Sequence, residues 1–264
     1  MSQTAGSVLV KEQNNVLILT MSNPSKRNAI FPTLYAELTE ALNRAQDNPD
    51  IGAVILKGDA GYFCSGGDLE GIQERRQLSR GERRNRLEGL HDLVRYMRRF
   101  PKPLIAAVEG GAAGAGLSLA FACDLLVVDE NARFSVAYVR VGLTPDGGAT
   151  ASLATVLPQA LLMELCLTGT PIDAQRLYQL GAINRAIPKE QVHDTALDIA
   201  TRLAAGPQDA LARIKDLCQQ AGQVSFNEQL DKEAEYMVMA QEGAEAAEGI
   251  TAFFEKRRPN FRAV

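Results

Sequence analysis

Apolar and polar residues follow two different periods along this chain, and each switch of period marks an element. Val8-Leu9-Val10 and Val16-Leu17-Ile18-Leu19 are short apolar runs flanking Asn14-Asn15, which predicts two paired strands joined by a tight turn. Residues 51–56 and 104–108 are apolar throughout and too short for helices, so they read as buried strands. Residues 125–128 and 133–136 add two more. Residues 31–45 repeat their apolar positions every three to four residues, predicting a helix that Asn48-Pro49-Asp50 ends. Residues 70–100 carry an arginine-rich helical pattern whose later part buries Leu87, Leu90, Leu93, Val94 and Met97. Pro101 and Pro103 stop it.

Strands alternating with helices predict an α/β fold with mostly parallel pairing. The units are similar without being strict repeats, so a loose spiral of ββα turns fits them. Beyond about residue 200 the strand pattern vanishes. Helices are expected over 208–221, 225–241 and 245–256, after a break at 203–207. Their apolar faces (Ile214, Met237 and Phe253 among them) are too narrow for an independent core. They must pack on the body of the protein or on another subunit. The expected organisation is a core over 1–200 and a helical region over 201–264.

Composition narrows the function. The 264 residues are 46% hydrophobic and 23% charged, the profile of a chain that buries a real core. A net charge of −4 does not suggest a nucleic-acid binder. No apolar run approaches the roughly 18 residues of a membrane span. Met1-Ser2-Gln3-Thr4 lacks the pattern of a signal sequence. Cys64, Cys123, Cys166 and Cys218 are widely spaced, without metal-ligand spacing, and read as reduced thiols in a cytoplasmic protein. No metal is expected.

The chemistry is carried by two glycine-rich loops, Phe63–Leu69 and Glu109–Gly116, each closing a strand and opening a helix. Small residues allow close approach of a ligand to the backbone, and helix N-termini offer unpaired amide donors. Two such ends facing one cavity would hold a developing oxyanion. Cys64 beside the first loop reads as a small buried residue rather than a nucleophile.

These loops, together with Asn23-Pro24-Ser25-Lys26-Arg27-Asn28-Ala29, Cys123-Asp124, Gly142-Leu143-Thr144-Pro145-Asp146-Gly147-Gly148, Leu167-Thr168-Gly169 and Phe254-Glu255-Lys256-Arg257, resemble the crotonase (enoyl-CoA hydratase/isomerase) superfamily over nearly the full chain. The resemblance implies a ββα spiral core and a C-terminal helical trimerisation region. The assembly would be a homotrimer or a dimer of trimers. It implies a coenzyme A thioester as substrate, with no separate cofactor. The thioester oxygen would sit between the backbone amides of Gly67 and Ala115, beside Gly114. The loop around Lys26, Arg27 and Ala29 would hold the CoA phosphates and pantetheine, with Ser65, Asp68 and Leu69 near the adenine.

Hydratases of that family carry glutamates where this chain has Ser118 and Tyr138, and neither can act as a carboxylate base. Asp146 remains. It resembles the base of dienoyl-CoA isomerases and of phenylacetate-pathway ring-epoxide isomerases. The favoured expectation is therefore double-bond or ring isomerisation by Asp146. A hydratase or hydrolase with water held by Asp146 or Tyr138 stays open, as does a non-catalytic acyl-CoA-binding subunit. Asp146 could instead cap the helix beginning near Gly147. Tyr138 could be a core aromatic, and Ser118 structural or ligand-touching.

Overall fold

A computed structural model describes residues 6–264; Met1–Thr4, read above as carrying no signal sequence, lie outside the described residues. Strands β1 (Ser7–Gln13) and β2 (Val16–Ser22) form an antiparallel hairpin. Asn14 and Asn15 make its turn with positive φ values of 53° and 59°. Asparagine tolerates that region better than most residues with a Cβ, and two in succession match the twist of the flanking strands.

Helix α1 (Leu34–Asp47) leads to β3 (Ala53–Gly58), and α2 (Leu69–Arg75) and α3 (Arg80–Arg99) lead to β4 (Leu104–Val108). Next come β5 (Gly111–Ala113), α4 (Ala115–Phe121), β6 (Leu125–Asp129) and β7 (Arg133–Ser135). Helices α5 (Ala149–Ala154) and α6 (Gln159–Thr168), strand β8 (Ile172–Asp173) and helix α7 (Ala174–Gln179) precede β9 (Arg185–Ile187). Four helices finish the chain: α8 (Val192–Ala204), α9 (Gln208–Gln220), α10 (Phe226–Gln241) and α11 (Ala244–Phe254).

The main sheet has the order β1-β2-β3-β4-β6-β9 and is parallel from β2 onward. A second layer contains β5-β7-β8, extended by isolated parallel bridges from Cys64 to Ala112 and from Ile30 to Gly67. Successive turns of chain thus place one strand in the main sheet and the next extended segment in the second layer. That is the expected spiral.

Both faces of the central strands β2, β3, β4 and β6 are buried, which is why they read as continuous apolar runs. Leu17, Leu19, Val54, Leu56, Leu104 and Ala106 face the larger core under α1, α3 and α4. Their neighbours Val16, Ile18, Ala53, Ile55, Ile105 and Val127 face α8. Helix α8 meets them with Val192, Ala196, Ala200 and Ala204, spaced by four on one stripe. Small side chains there let the helix lie close on the sheet.

The single arginine-rich helix expected over 70–100 is two helices. Ser79 starts the second with a capping box. Its side chain accepts from the Glu82 amide and the Glu82 carboxylate accepts from the Ser79 amide. The Ser-x-x-Glu pattern was present in the sequence and outweighs the continuous polar periodicity. Among the described residues no helix is long and apolar enough to cross a membrane. The four cysteines are free thiols.

Helices α10 and α11 leave large apolar side chains uncovered: Met237 is 60% exposed, Phe253 78% and Phe254 76%, whereas α9 packs on the body through Lys215, which pairs with Asp124.

Ala200→Leu would force a larger side chain between α8 and the sheet. It is expected to destabilise the fold by about 1–3 kcal/mol, read as a lower urea midpoint at unchanged slope.

Candidate active site

The two glycine loops meet because the segment after β3 runs alongside β5. The Ala113 amide donates to the Cys64 carbonyl at 3.0 Å, and the Phe63 amide donates to the Glu109 carbonyl at 2.9 Å. Gly66 (φ +93°) carries the closest approach. A Cβ there would stand 2.6 Å from the Ala113 carbonyl oxygen and 3.4 Å from the Ala115 nitrogen. Any other residue would push the loops apart. Among the described residues the Gly67 and Ala115 amides donate to no acceptor. Ala115 is the first residue of α4, where an amide has no partner within the helix.

Tyr138 and Asp146 stand over this junction. A Cβ built on Gly114 would lie 3.8 Å from the Tyr138 hydroxyl and 3.9 Å from the Gly66 Cα. That hydroxyl donates to Asp146 Oδ1 at 2.7 Å. Burial first, and then the Asp146 carboxylate, push the Tyr138 phenol far above its ordinary value. Asp146 does not cap α5. The capping position is Gly148, with no side-chain bond. The Asp146 carbonyl accepts from the Ala149 amide at 3.1 Å and from Ser118 Oγ at 3.0 Å. The loop fits between α3 and α4 only because Gly147 (φ +59°) has no side chain. A Cβ there would come 2.9 Å from Ser118 Cβ and 3.0 Å from Leu90 Cδ2.

Ser118 is wholly buried, and its hydroxyl holds the Asp146 main chain. Ala29 is likewise turned inward, at 5% exposure. Its carbonyl accepts from Asn23 Nδ2 at 3.0 Å, which helps to shape the loop.

The 23–30 loop is pinned to the first glycine loop by Asn28. Its buried amide donates to the carbonyls of Asp59 (2.8 Å) and Tyr62 (2.6 Å). Ser65 Oγ donates to the Lys26 carbonyl, and the Ile30 amide to Gly66. Lys26 Nζ lies 2.6 Å from Glu70 and 2.9 Å from Asp68, and these bonds hold its ammonium up to about 12. Its charge is already shared by two carboxylates. Asp68 also accepts from the Glu70 amide as N-cap of α2. Arg27 is exposed, with its guanidinium 5.8 Å from the Tyr62 ring centre. Leu69 is 57% exposed at the rim. Burial pushes the Cys64 thiol up to about 12, which removes it as a nucleophile near neutral pH. Among the described residues no cluster of three side chains suits a metal ion.

A family model described as enoyl-CoA hydratase/isomerase matches residues 11–263. The chain belongs to this family. It is 32% identical over 255 residues to the 2,3-dehydroadipyl-CoA hydratase of Escherichia coli (strain K12), covering 97% of this chain and 98% of that one. It is also 32% identical to the 1,2-epoxyphenylacetyl-CoA isomerase of the same organism, covering 96% and 97%. A crystal structure of an enoyl-CoA hydratase from Polaromonas sp. JS666 superposes with a TM-score of 0.93 at 43% identity, covering 96% and 98%. The spiral is thus the crotonase fold, and an acyl-CoA substrate is consistent with membership. Hydratases and isomerases share this family, so membership leaves the reaction open.

Sequence reasoning missed Asn28 as the pin between loops and Tyr35 as a neighbour of the site. Asn28 sat inside a quoted motif. Tyr35 gave no signal, because it flanks an ordinary apolar helix face. Its phenol is raised by burial and then by the Asp146 carboxylate.

Folding therefore keeps both phenols protonated where the unfolded chain would ionise them. Stability should fall as the pH rises past the ordinary phenol value of about 10. Tyr138→Phe is expected to lose less stability over that interval, compared by urea midpoints at roughly pH 9 and 11.

Proposed function

We propose that this enoyl-CoA hydratase/isomerase family member moves a carbon–carbon double bond, or isomerises a ring, in the acyl group of a CoA thioester, with Asp146 as its one proton carrier. The observation that carries this reading is the Asp146 carboxylate, held at 2.7 Å by Tyr138 above two amides without acceptors. The amides of Gly67 and Ala115 would form an oxyanion hole for the thioester oxygen. Such a donor is typically worth about 3–4 kcal/mol in the transition state.

Tyr138 occupies Oδ1 and leaves Oδ2 as the base. Oδ2 takes a proton from a carbon conjugated with the thioester, and the C–H electrons pass into the enolate. Collapse of the enolate forms the shifted double bond as the carboxylic acid returns the proton to a different carbon. No water or external reductant is needed. The similarity to a relative named as an epoxyphenylacetyl-CoA isomerase supports this reading. Hydration is a second reading, because another relative is named as a hydratase and the Tyr138–Asp146 pair would also orient a water.

The CoA moiety is the substrate's own handle rather than a separate cofactor. Arg27 is the cation of the 26–29 loop free to meet its phosphates, with Ser65, Asp68 and Leu69 at the edge. The free thiols fit a cytoplasmic setting.

Asp146→Asn should cut solvent deuterium incorporation into an enoyl-CoA by at least about a hundredfold. Unchanged exchange would remove the proposal. A product heavier by one water would move the assignment to hydration. Binding without exchange by the unmodified protein would leave only the acyl-CoA-binding subunit.

The uncovered side chains of α10 and α11 support a homotrimer or a dimer of trimers. Light scattering should find three or six chains. Phe253→Asp with Phe254→Asp should lower that number; a monomeric starting protein would refute the assembly.

A further inference from the structure

Four polar side chains are buried among the described residues: Asn28, Ser118, Asp129 and Ser152. Asn28 and Ser118 hold loops of the site. Asp129 is the one carboxylate of the four, at 4% exposure. Burying a carboxylate is costly unless hydrogen bonds compensate it. Its Oδ1 accepts from the Asn131 amide at 2.9 Å and its Oδ2 from the Gly110 amide at 3.3 Å. Both partners are main-chain amides, and among the described residues no lysine or arginine forms a salt bridge with it. The bond to Asn131 is an ordinary Asx turn, which aspartates make at many chain reversals. The bond to Gly110 spans 19 residues and is not local.

Asp129 ends β6, one residue beyond Val128, which pairs with Val108 at the end of β4. Here the chain leaves the main sheet for the second layer twice, from β4 to β5 and from β6 to β7. Gly110 lies in the first crossing and Asn131 in the second, so one carboxylate grips both. The Asp129 carbonyl adds a bond from the Ala132 amide at 2.8 Å, and the Gly110 carbonyl accepts from the Arg133 amide at 3.2 Å. Both crossings feed the oxyanion amides. Strand β5 delivers the Ala113 amide to the Cys64 carbonyl, and β7 delivers the Ser135 carbonyl to the Gly114 amide at 3.0 Å. Ala115 follows directly. Glu109, next to Gly110, accepts from the Phe63 amide at the head of the first glycine loop. Gly110 itself has a positive φ of 64° and no side chain to restrict it. Its fixed amide supplies the order that the residue lacks.

We propose that Asp129 is a positioning residue for the oxyanion hole: its carboxylate fixes the two crossings relative to one another and thereby sets the spacing of the Gly67 and Ala115 amides. It touches no substrate. A carboxylate suits the role because both of its oxygens accept and its bonds to amides are charge-assisted. An asparagine would turn an NH2 donor toward one of the two amides, so one crossing would lose its anchor. Donors displaced from the thioester oxygen then polarise it less. The role rests on the acyl-CoA reading above and on its oxyanion amides, and is independent of proton transfer by Asp146.

Butyryl-CoA has no double bond to move, and a heavy-carbon label at its thioester carbonyl makes polarisation visible by infrared difference spectroscopy of the complex. In the unmodified protein the carbonyl stretch should move to lower wavenumber on binding. Asp129→Asn should return about half of that displacement, while the dissociation constant from calorimetry changes by less than about threefold. Asp129→Ser keeps a hydroxyl for the local turn but serves one amide only, and should lose the displacement to the same extent. A full displacement in both variants would overturn the role and leave the oxyanion amides standing. A carbonyl that does not shift in the unmodified protein would overturn the amides and the role together. So would an affinity loss shared equally by butyryl-CoA and free CoA overturn the role, by making Asp129 a support of the whole site. If Asp129→Asn fails to fold by circular dichroism, Asp129→Ser decides; unfolding of both would make Asp129 a stability residue and overturn the proposal.

Discussion

The site depends on one strand-like contact: the segment from Phe63 to Gly67 lies parallel to β5, bonded through the Cys64 carbonyl to the Ala113 amide. This pairing brings Gly66 within touching distance of the Ala113 carbonyl and leaves the two neighbouring amides without partners. The contact is held by the central strands of the main sheet, which are buried on both faces. Helices α3 and α8 clamp β3 and β4, and the loops leaving those strands cannot splay. A small number of backbone hydrogen bonds is thus supported by an extensive apolar core, the usual condition for a rigid functional loop.

A second constraint acts on Asp146. The carboxylate sits on a short connection, which ordinarily would be free to turn toward solvent. Three contacts prevent this. Ser118 holds its carbonyl from α4, Tyr138 holds one carboxylate oxygen, and Leu90 presses on Gly147 from α3. Two hydroxyls, of Ser118 and Tyr138, thus fix this one acid, and under the proposed function they support the group that transfers protons.

Charge is distributed with similar economy. Lys26 is neutralised by Asp68 and Glu70, and Arg84 and Arg95 share Glu88 on the outer face of α3. These exposed pairs contribute little to stability individually. Arg27 at the rim of the loop has no such carboxylate partner among the described residues and lies against the Tyr62 ring instead.

The sequence by itself determined the hairpin at Asn14-Asn15, the buried parallel strands, the glycine loops and the family. Each is written in local terms: unbroken apolar runs too short for helices, turn residues that accept positive φ, small residues at a fixed spacing. It also contained the capping box that splits the arginine-rich helix, although the longer periodicity masked it. Only the tertiary structure decided that Ser118 and Ala29 face inward, that Lys26 is already paired, and that Tyr138 rather than a helix end holds Asp146. It alone placed Tyr35 beside a residue far away in the chain. Those outcomes depend on how elements distant in sequence pack against one another, and side-chain partners across such contacts leave no periodic trace in a single chain.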